Sequence, residues 1–171
     1  MVDQHERGGA RAAPRGSAKL GRRRDRRVVK GPFAPVPAIA DTSAWVRSGA
    51  ESVRGAWLAA VETGDILTTP PVALEVLYGA VDRAGLDTRE RDLMSMRSVP
   101  ITESVGRAAL GAMRDLAEVQ PGFHRSPPLD YLVAAAAQEA GVDVLHYDHH
   151  FDRLAEVLHF DSRWVAPPGS L

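Results

Sequence analysis

Short apolar runs alternate with longer stretches of helical periodicity from residue 38 onward, and this alternation constrains the fold more than any other feature of the chain. A short apolar run is typical of a buried strand, whereas apolar residues three and four positions apart are typical of one helix face. Strands that alternate with helices favour a parallel sheet covered by helices on both faces. The sequence therefore predicts an α/β fold, a three-layer α/β/α sandwich with a central, mainly parallel sheet.

Glycine and proline mark where the predicted elements begin and end. Pro70 and Pro71 suit the first turn of a helix, while Gly64 and Gly141 follow helical patterns and end them. The predicted strands cover residues 38–40, 66–69, 99–101, 142–147 and 163–165. The predicted helices cover residues 52–62, a segment that opens at Pro70, and residues 102–119, 129–140 and 151–158.

Length and composition limit the classes of protein to which the chain can belong. Its 171 residues suffice for one domain with a substantial core. The absence of cysteine excludes disulfides, thiolate zinc sites and cysteine nucleophiles, and it fits a reducing cytosol. No stretch approaches the roughly 20 apolar residues that span a bilayer, and the N-terminus lacks the apolar core of a secretory signal. We therefore expect a cytoplasmic protein with no membrane contact.

The net charge of −1 conceals a basic N-terminus joined to an acidic body. Residues 1–30 carry ten basic and three acidic side chains, a formal charge of +7, which leaves the remainder at −8. We predict that residues 1–34 form a basic, disordered extension and that residues 35–168 form the folded domain. The extension could be an arm that binds nucleic acid, a disordered tail without function, or sequence translated upstream of the true start.

Four acidic residues lie where a parallel sheet of this kind gathers its ligands. Asp41 and Asp148 each follow a predicted strand directly, and Glu75 and Asp130 lie in the opening turns of predicted helices. Ligands of open parallel sheets bind outside the carboxyl ends of the strands. The sequence therefore predicts that folding can bring these four carboxylates together.

The helix that carries Asp130 is the most informative of these segments. Between Asp130 and Gln138 its only polar side chain is that of Tyr131, which predicts a buried helix. A buried carboxylate at its start needs a partner, because an unpaired buried charge is costly. That partner could be a divalent cation or only the helix dipole. Glu75, likewise flanked by apolar residues, could equally lie on an exposed helix face.

Clustered carboxylates repel one another, and a hard cation with oxygen ligands relieves the repulsion. Mg²⁺ keeps several waters and uses few carboxylates, which leaves room for a phosphate oxygen. It can also lower the pKa of water and stabilise displacement at phosphorus. These properties favour phosphodiester hydrolysis as the chemistry of such a site.

Several segments together resemble the PIN-domain toxins of the VapC family. The opening strand with Ala40-Asp41-Thr42-Ser43-Ala44-Trp45 resembles the family's first acidic segment, and residues 70–80, 129–137 and 144–155 resemble the second, third and fourth. Arg163-Trp164-Val165 resembles the terminal strand, so the resemblance covers roughly residues 36–167. Each segment alone is common, whereas four in this order form a fairly specific signal.

The resemblance implies a site, a substrate and a partner. Asp41 and Asp130 would bind Mg²⁺ or Mn²⁺, with Glu75 and Asp148 completing the set, some of them through water. Ser43 would hold a carboxylate or a water in place. The substrate would be RNA, a cognate antitoxin protein would block the pocket, and the toxin would be a homodimer.

The fourth segment departs from the family pattern. Many relatives carry an acid immediately before its phenylalanine, where this chain has His150. His149 and His150 could contact RNA phosphate or could be solvated loop residues. His146, on the preceding strand, is interpreted as structural, and Asp152 as a helix-start acid that could support the site. The long basic N-terminus is a second departure.

Two other functions compete with this hypothesis. A phosphatase that uses Asp41 as nucleophile usually has a second acid two residues on, where this chain has Ser43. A non-catalytic PIN fold could bind RNA or a partner, although a negative pocket would repel RNA unless a cation were present. Arg47 is one of several arginines that could line an RNA path or be ordinary surface.

Overall fold

A computed structural model describes residues 31–34 and 36–171 of the chain. Most of the predicted basic extension, residues 1–30, therefore lies outside the described residues. Just before the first strand, Phe33 packs against the core, and the backbone oxygens of Ala34 and Val36 accept hydrogen bonds from Arg163 at 3.3 and 2.8 Å. The segment that precedes the first strand is thus hydrogen-bonded to Arg163, a residue of the last strand of the sheet.

Five parallel strands form one sheet in the order β3-β2-β1-β4-β5. Strand β1 lies at the centre of the sheet. Strands β2 and β3 follow on one side of it, and β4 and β5 follow on the other, so the strand order reverses between β1 and β4. Ligands of open α/β sheets bind at such a reversal. The strands are β1 (Ala38–Ala40), β2 (Ile66–Thr68), β3 (Arg97–Ser98), β4 (Asp143–His146) and β5 (Ser162–Trp164).

Helices cover both faces of the sheet, which confirms the predicted three-layer sandwich. Within the described ranges they are α1 (Thr42–Trp45), α2 (Glu51–Glu62), α3 (Pro70–Tyr78), α4 (Arg83–Met94), α5 (Glu103–Val119), α6 (Pro128–Ala140) and α7 (His149–Val157), with a 3₁₀ turn at Phe123–Arg125. None of the helices in these ranges combines the length and apolar character that a bilayer span requires.

Alternate residues of the strands supply two separate cores, as a period of two requires. Ile39 and Val144 face the side that packs against helices α3 to α7. Ala40 and Leu145 face the opposite side, which packs against α1 and α2. Residues 133–137 of α6 are all buried, which confirms that this apolar helix lies inside the protein.

The sequence-based prediction misplaces the third strand and lacks two helices, the short α1 and α4. The third strand, predicted at residues 99–101, lies at Arg97–Ser98, since this short edge strand is exposed and carries no apolar signal. Val99 is buried, and its amide still donates to the Thr68 oxygen at 2.8 Å. Helix α4 was not predicted because it is mostly polar and buries only Leu93.

Candidate acidic site at the strand ends

Asp41 directly follows β1 and caps the helix α1. Its amide donates to the Leu145 oxygen of β4 at 2.9 Å, which fixes it beside the neighbouring strand. Its carboxylate accepts from the Ser43 amide at 2.8 Å and from the Ser43 hydroxyl at 2.5 Å. Burial raises the pKa of Asp41, the bonds from Ser43 lower it, and the negative charge of Glu75 raises it again. Folding therefore holds this carboxylate in one place at an electrostatic cost.

Ser43 joins the ends of β1 and β4. While its hydroxyl donates to Asp41, the same oxygen accepts from the Tyr147 amide at 2.8 Å. The Ser43 carbonyl in turn accepts from Arg47 Nη1 at 2.9 Å, and the Arg47 guanidinium carbon lies 4.1 Å from the centre of the Tyr147 ring. A fixed positive charge thus stands beside the carboxyl ends of these strands.

Glu75 projects from α3 toward the same strand ends. Its Oε2 accepts from the Thr42 hydroxyl at 2.7 Å, so the residue after Asp41 fixes it. Residues Thr42, Glu75, Val76 and Arg89 line one side of a cleft of about 360 Å³. Because the side chain is half-buried and bonded to α1, it does not lie on a fully exposed helix face.

Asp130 lies in the first turn of α6 and is 8% exposed. Burial, followed by the negative charges of Asp41, Asp148 and Glu75, raises the pKa of Asp130 to about 8. Because the three other carboxylates contribute to this shift, each of them lies within electrostatic reach of Asp130. Among the described residues, no hydrogen bond lowers the pKa of Asp130 as Ser43 lowers that of Asp41.

Asp148 caps α7, where its Oδ1 accepts from the His150 amide at 2.9 Å. The His150 ring lies between two acids, with Nδ1 at 3.2 Å from Asp148 Oδ1 and 3.3 Å from Asp130 Oδ2. That nitrogen is buried, and the geometry gives it no hydrogen bond. The interpretation of His149 and His150 as loop residues is wrong, since both lie in the first turn of α7.

Asp152 makes its contacts with β5. Its carboxylate accepts from the Ser162 hydroxyl at 2.6 Å and from Trp164 Nε1 at 3.2 Å. Ser162 also contacts Nε2 of His146 at 2.6 Å. Burial lowers the pKa of His146 to about 4, against the opposing charges of Asp152 and Asp148, so its ring is neutral at pH 7. The sequence offered no signal for this chain of contacts, because its members come together only when α7 packs on the sheet.

The four acids do not form a finished metal cage. In the part of the chain that the structure describes, no three His, Asp or Glu side chains are arranged so that they could hold a metal ion as they stand. The donor set nevertheless suits a hard cation, since the predicted ligands are all carboxylate oxygens. Burial first, and then the charges of neighbouring carboxylates, raise the pKa values of Asp41 and Asp130, and a bound cation would offset both effects.

Comparison with known proteins identifies the family of the chain. Residues 38–157 match the PIN domain family. The chain is 34% identical over 132 residues to Ribonuclease VapC18 of Mycobacterium tuberculosis, an alignment that covers 77% of this chain and 96% of the relative. It is also 34% identical over 133 residues to Ribonuclease VapC51 of the same organism, which covers 78% and 96%.

Solved structures share the fold at low sequence identity. DNA-bound VapBC from Salmonella typhimurium superposes with a TM-score of 0.61 at 12% identity, over 77% of this chain and 99% of that one. VapBC-5 from Mycobacterium tuberculosis gives 0.54 at 19% identity, over 76% and 99%. Together with the identity to the two ribonucleases, the family match shows that this chain belongs to the VapC family of PIN-domain proteins.

Proposed function

We propose that this chain is a divalent-metal-dependent ribonuclease, the toxin of a toxin–antitoxin pair, which hydrolyses RNA phosphodiesters at Asp41, Glu75, Asp130 and Asp148. The observation that carries the proposal is the placement of the buried Asp130 where the charges of Asp41, Asp148 and Glu75 all act on it. The curated relatives that cover most of the chain are named ribonucleases. Acidic clustering supports a cation site, and the family supports RNA as the substrate.

Asp41 and Asp130 would hold the cation directly, and Glu75 and Asp148 would complete the site. PIN-domain ribonucleases generally depend on divalent metals, and Mg²⁺ or Mn²⁺ suits these oxygen donors. The chemistry that such an ion supplies when bound is stabilisation of charge on the phosphate and activation of water. Because the acids repel one another without it, we expect them to draw together on binding.

The side chains around the acids prepare the site for that ion and for RNA. Ser43 holds the Asp41 carboxylate, and Thr42 holds that of Glu75. Asp130 keeps its proton at pH 7 in the metal-free protein, so it gives the proton up when a cation binds. Arg47, fixed beside the strand ends, supplies a positive charge for an RNA phosphate in an otherwise acidic domain.

The proposed partners are RNA, a cognate antitoxin and a second copy of the chain. Solved structures with the same fold include a member of the VapBC family of toxin–antitoxin systems from Mycobacterium tuberculosis and a toxin–antitoxin complex from Klebsiella pneumoniae. On α3 and just beyond it, Leu74, Tyr78 and Val81 are 66%, 93% and 97% exposed. Exposed apolar side chains of this size support a protein partner. An antitoxin lying over the cleft beside Glu75 would block RNA access.

RNA cleavage by the purified full chain tests the proposal. We expect cleavage with Mg²⁺ or Mn²⁺, none with EDTA, and a loss of at least about 100-fold in Asp41→Asn and Asp130→Asn, as is usual when one electrostatic contact to a transition state is removed. Asp115→Asn, on an exposed part of α5, is the matched control and should cleave normally. Undiminished cleavage by folded Asp130→Asn would refute the site.

A further inference from the structure

His146 is the one fully buried histidine among the described residues, and both of its ring nitrogens are engaged. Nδ1 lies 3.1 Å from the Asp148 amide, which can only donate, so Nδ1 accepts and carries no proton. Nε2 lies 2.6 Å from the Ser162 hydroxyl. That hydroxyl uses its proton in the 2.6 Å bond to Asp152, so it accepts from Nε2–H. The contacts therefore assign a single tautomer.

The ring is held so that it cannot turn. Its centre lies 5.1 Å from that of Phe151 and 5.0 Å from that of Trp164, and the residue has no exposed surface. Trp164 is itself bonded to Asp152 through Nε1. Ring packing and the Asp152–Ser162 bonds thus point Nδ1 at the Asp148 backbone.

Asp148 needs this support because its backbone is extended at the point where the chain turns from β4 into α7. Its φ and ψ are −145° and 131°, and this conformation lets its Oδ1 accept from the His150 amide. A change in the direction of the Asp148 amide would rotate the whole residue and move its carboxylate relative to Asp130.

We infer that His146 is a positioning residue, whose bonds from Asp152 through Ser162 to the Asp148 amide aim the fourth carboxylate at the cation site. The inference rests on the proposed function and adds a residue to it. Groups that orient metal ligands from behind typically change metal affinity by about 10–100-fold when they are removed.

A pair of substitutions distinguishes the role of Nδ1 from that of Nε2. His146→Asn places an amide oxygen near the position of Nδ1 and keeps an acceptor for the Asp148 amide. His146→Gln reaches toward Ser162 and loses that acceptor. Both variants remove the ring and its packing, so each serves as the structural control for the other. His159→Gln, at an exposed histidine, is the control for the assay.

Mn²⁺ binding to the full chain, followed by the loss of the free-ion electron paramagnetic resonance signal, gives a readout apart from activity. We expect His146→Gln to bind Mn²⁺ at least about 10-fold more weakly than wild type, and His146→Asn to stay within about 3-fold. RNA cleavage should need correspondingly more Mn²⁺ in His146→Gln, with the same rate at saturation. Ser162→Ala, which keeps the ring and frees Nε2, should fall between them.

Each remaining outcome counts against one statement in particular. Wild-type protein that neither binds Mn²⁺ nor cleaves RNA would overturn the proposed function. Wild type that does both, beside a folded His146→Gln with unchanged Mn²⁺ affinity, would overturn only the positioning role. Equal losses in folded His146→Asn and His146→Gln would also overturn it, because ring packing and not the acceptor would then matter. If both of these variants fail to fold, unchanged affinity in Ser162→Ala would overturn it.

Discussion

Asp41 and Asp130 are buried to nearly the same degree, at 6% and 8% exposed, yet their carboxylates have different hydrogen-bonding surroundings. The turn from β1 into α1 gives Asp41 two bonds from Ser43. The first turn of α6 gives Asp130 burial and the charges of three other acids, which raise its pKa to about 8. Folding alone therefore gives the first carboxylate hydrogen bonds that offset part of the cost of its burial, and it leaves the second dependent on a proton or a cation.

The largest effect on this comparison should come from Asp130→Asn in the metal-free protein. A carboxyl whose pKa is raised on folding stabilises the protein fully at pH below its unfolded value near 4, and that stability is lost as the pH rises through about 8. At pH 9 in EDTA we expect the variant to have a free energy of unfolding about 5 kcal/mol above wild type, because a pKa raised from near 4 to about 8 corresponds to about 1.4 kcal/mol for each unit. At pH 5 the difference should shrink to about 1 kcal/mol, because Asp130 is then protonated in the folded protein, whereas the same carboxyl, with a pKa near 4, is already largely ionised in the unfolded chain.

Chemical denaturation at both pH values measures this difference. Asp115→Asn should match wild type at each pH. A loss of stability in Asp130→Asn at pH 9 would show that the carboxylate is already satisfied in the metal-free protein, and the contrast with Asp41 would then fail.

A smaller effect is expected from Ser43→Ala. This substitution removes the side-chain hydroxyl that donates to Asp41, a kind of bond that Asp130 lacks. The substitution takes one bond from the Asp41 carboxylate and leaves the Tyr147 amide without its acceptor. We expect the free energy of unfolding at pH 7 to fall by about 2 kcal/mol. The pKa of Asp41 should rise further, because burial then acts with less opposition. Ser95→Ala, which removes an exposed helix-end bond, should change stability by less than about 0.5 kcal/mol.

Denaturation of the two serine variants side by side measures the difference. If Ser43→Ala were no more destabilising than Ser95→Ala, the turn at β1 would not be what holds Asp41, and the two acids would be more alike than their contacts suggest.

Much of the fold could be predicted because the elements that build it carry strong patterns. The apolar run at residues 38–40 and the apolar helix from 129 to 140 could be predicted, because the strand and residues 133–137 of the helix are fully enclosed in the protein and therefore carry almost no polar side chains. The helix predicted over residues 102–119 is observed as α5 (Glu103–Val119), and the Thr102 hydroxyl caps it. Helix α4 and strand β3 carry little buried apolar surface, so their sequences gave no comparable signal.

The candidate site could be predicted only as positions along the chain. Asp41 and Asp148 stood out because parallel strands end at one edge of a sheet. The position of the His150 ring between Asp130 and Asp148 depends on how α7 packs against the sheet. The hydrogen bonds between Asp152 and β5 depend on the same packing. Such contacts join residues from separate elements, and periodicity within one element carries no information about them.

Calorimetric titration of the full chain with Mn²⁺ at pH 7, in two buffers that differ in ionisation heat, tests most directly whether Asp130 exchanges a proton for a cation. The account predicts that wild type releases about one proton per bound Mn²⁺. It also predicts that Asp130→Asn binds Mn²⁺ at least about 10-fold more weakly. Binding of equal strength by both proteins, with no proton released by wild type, would contradict it.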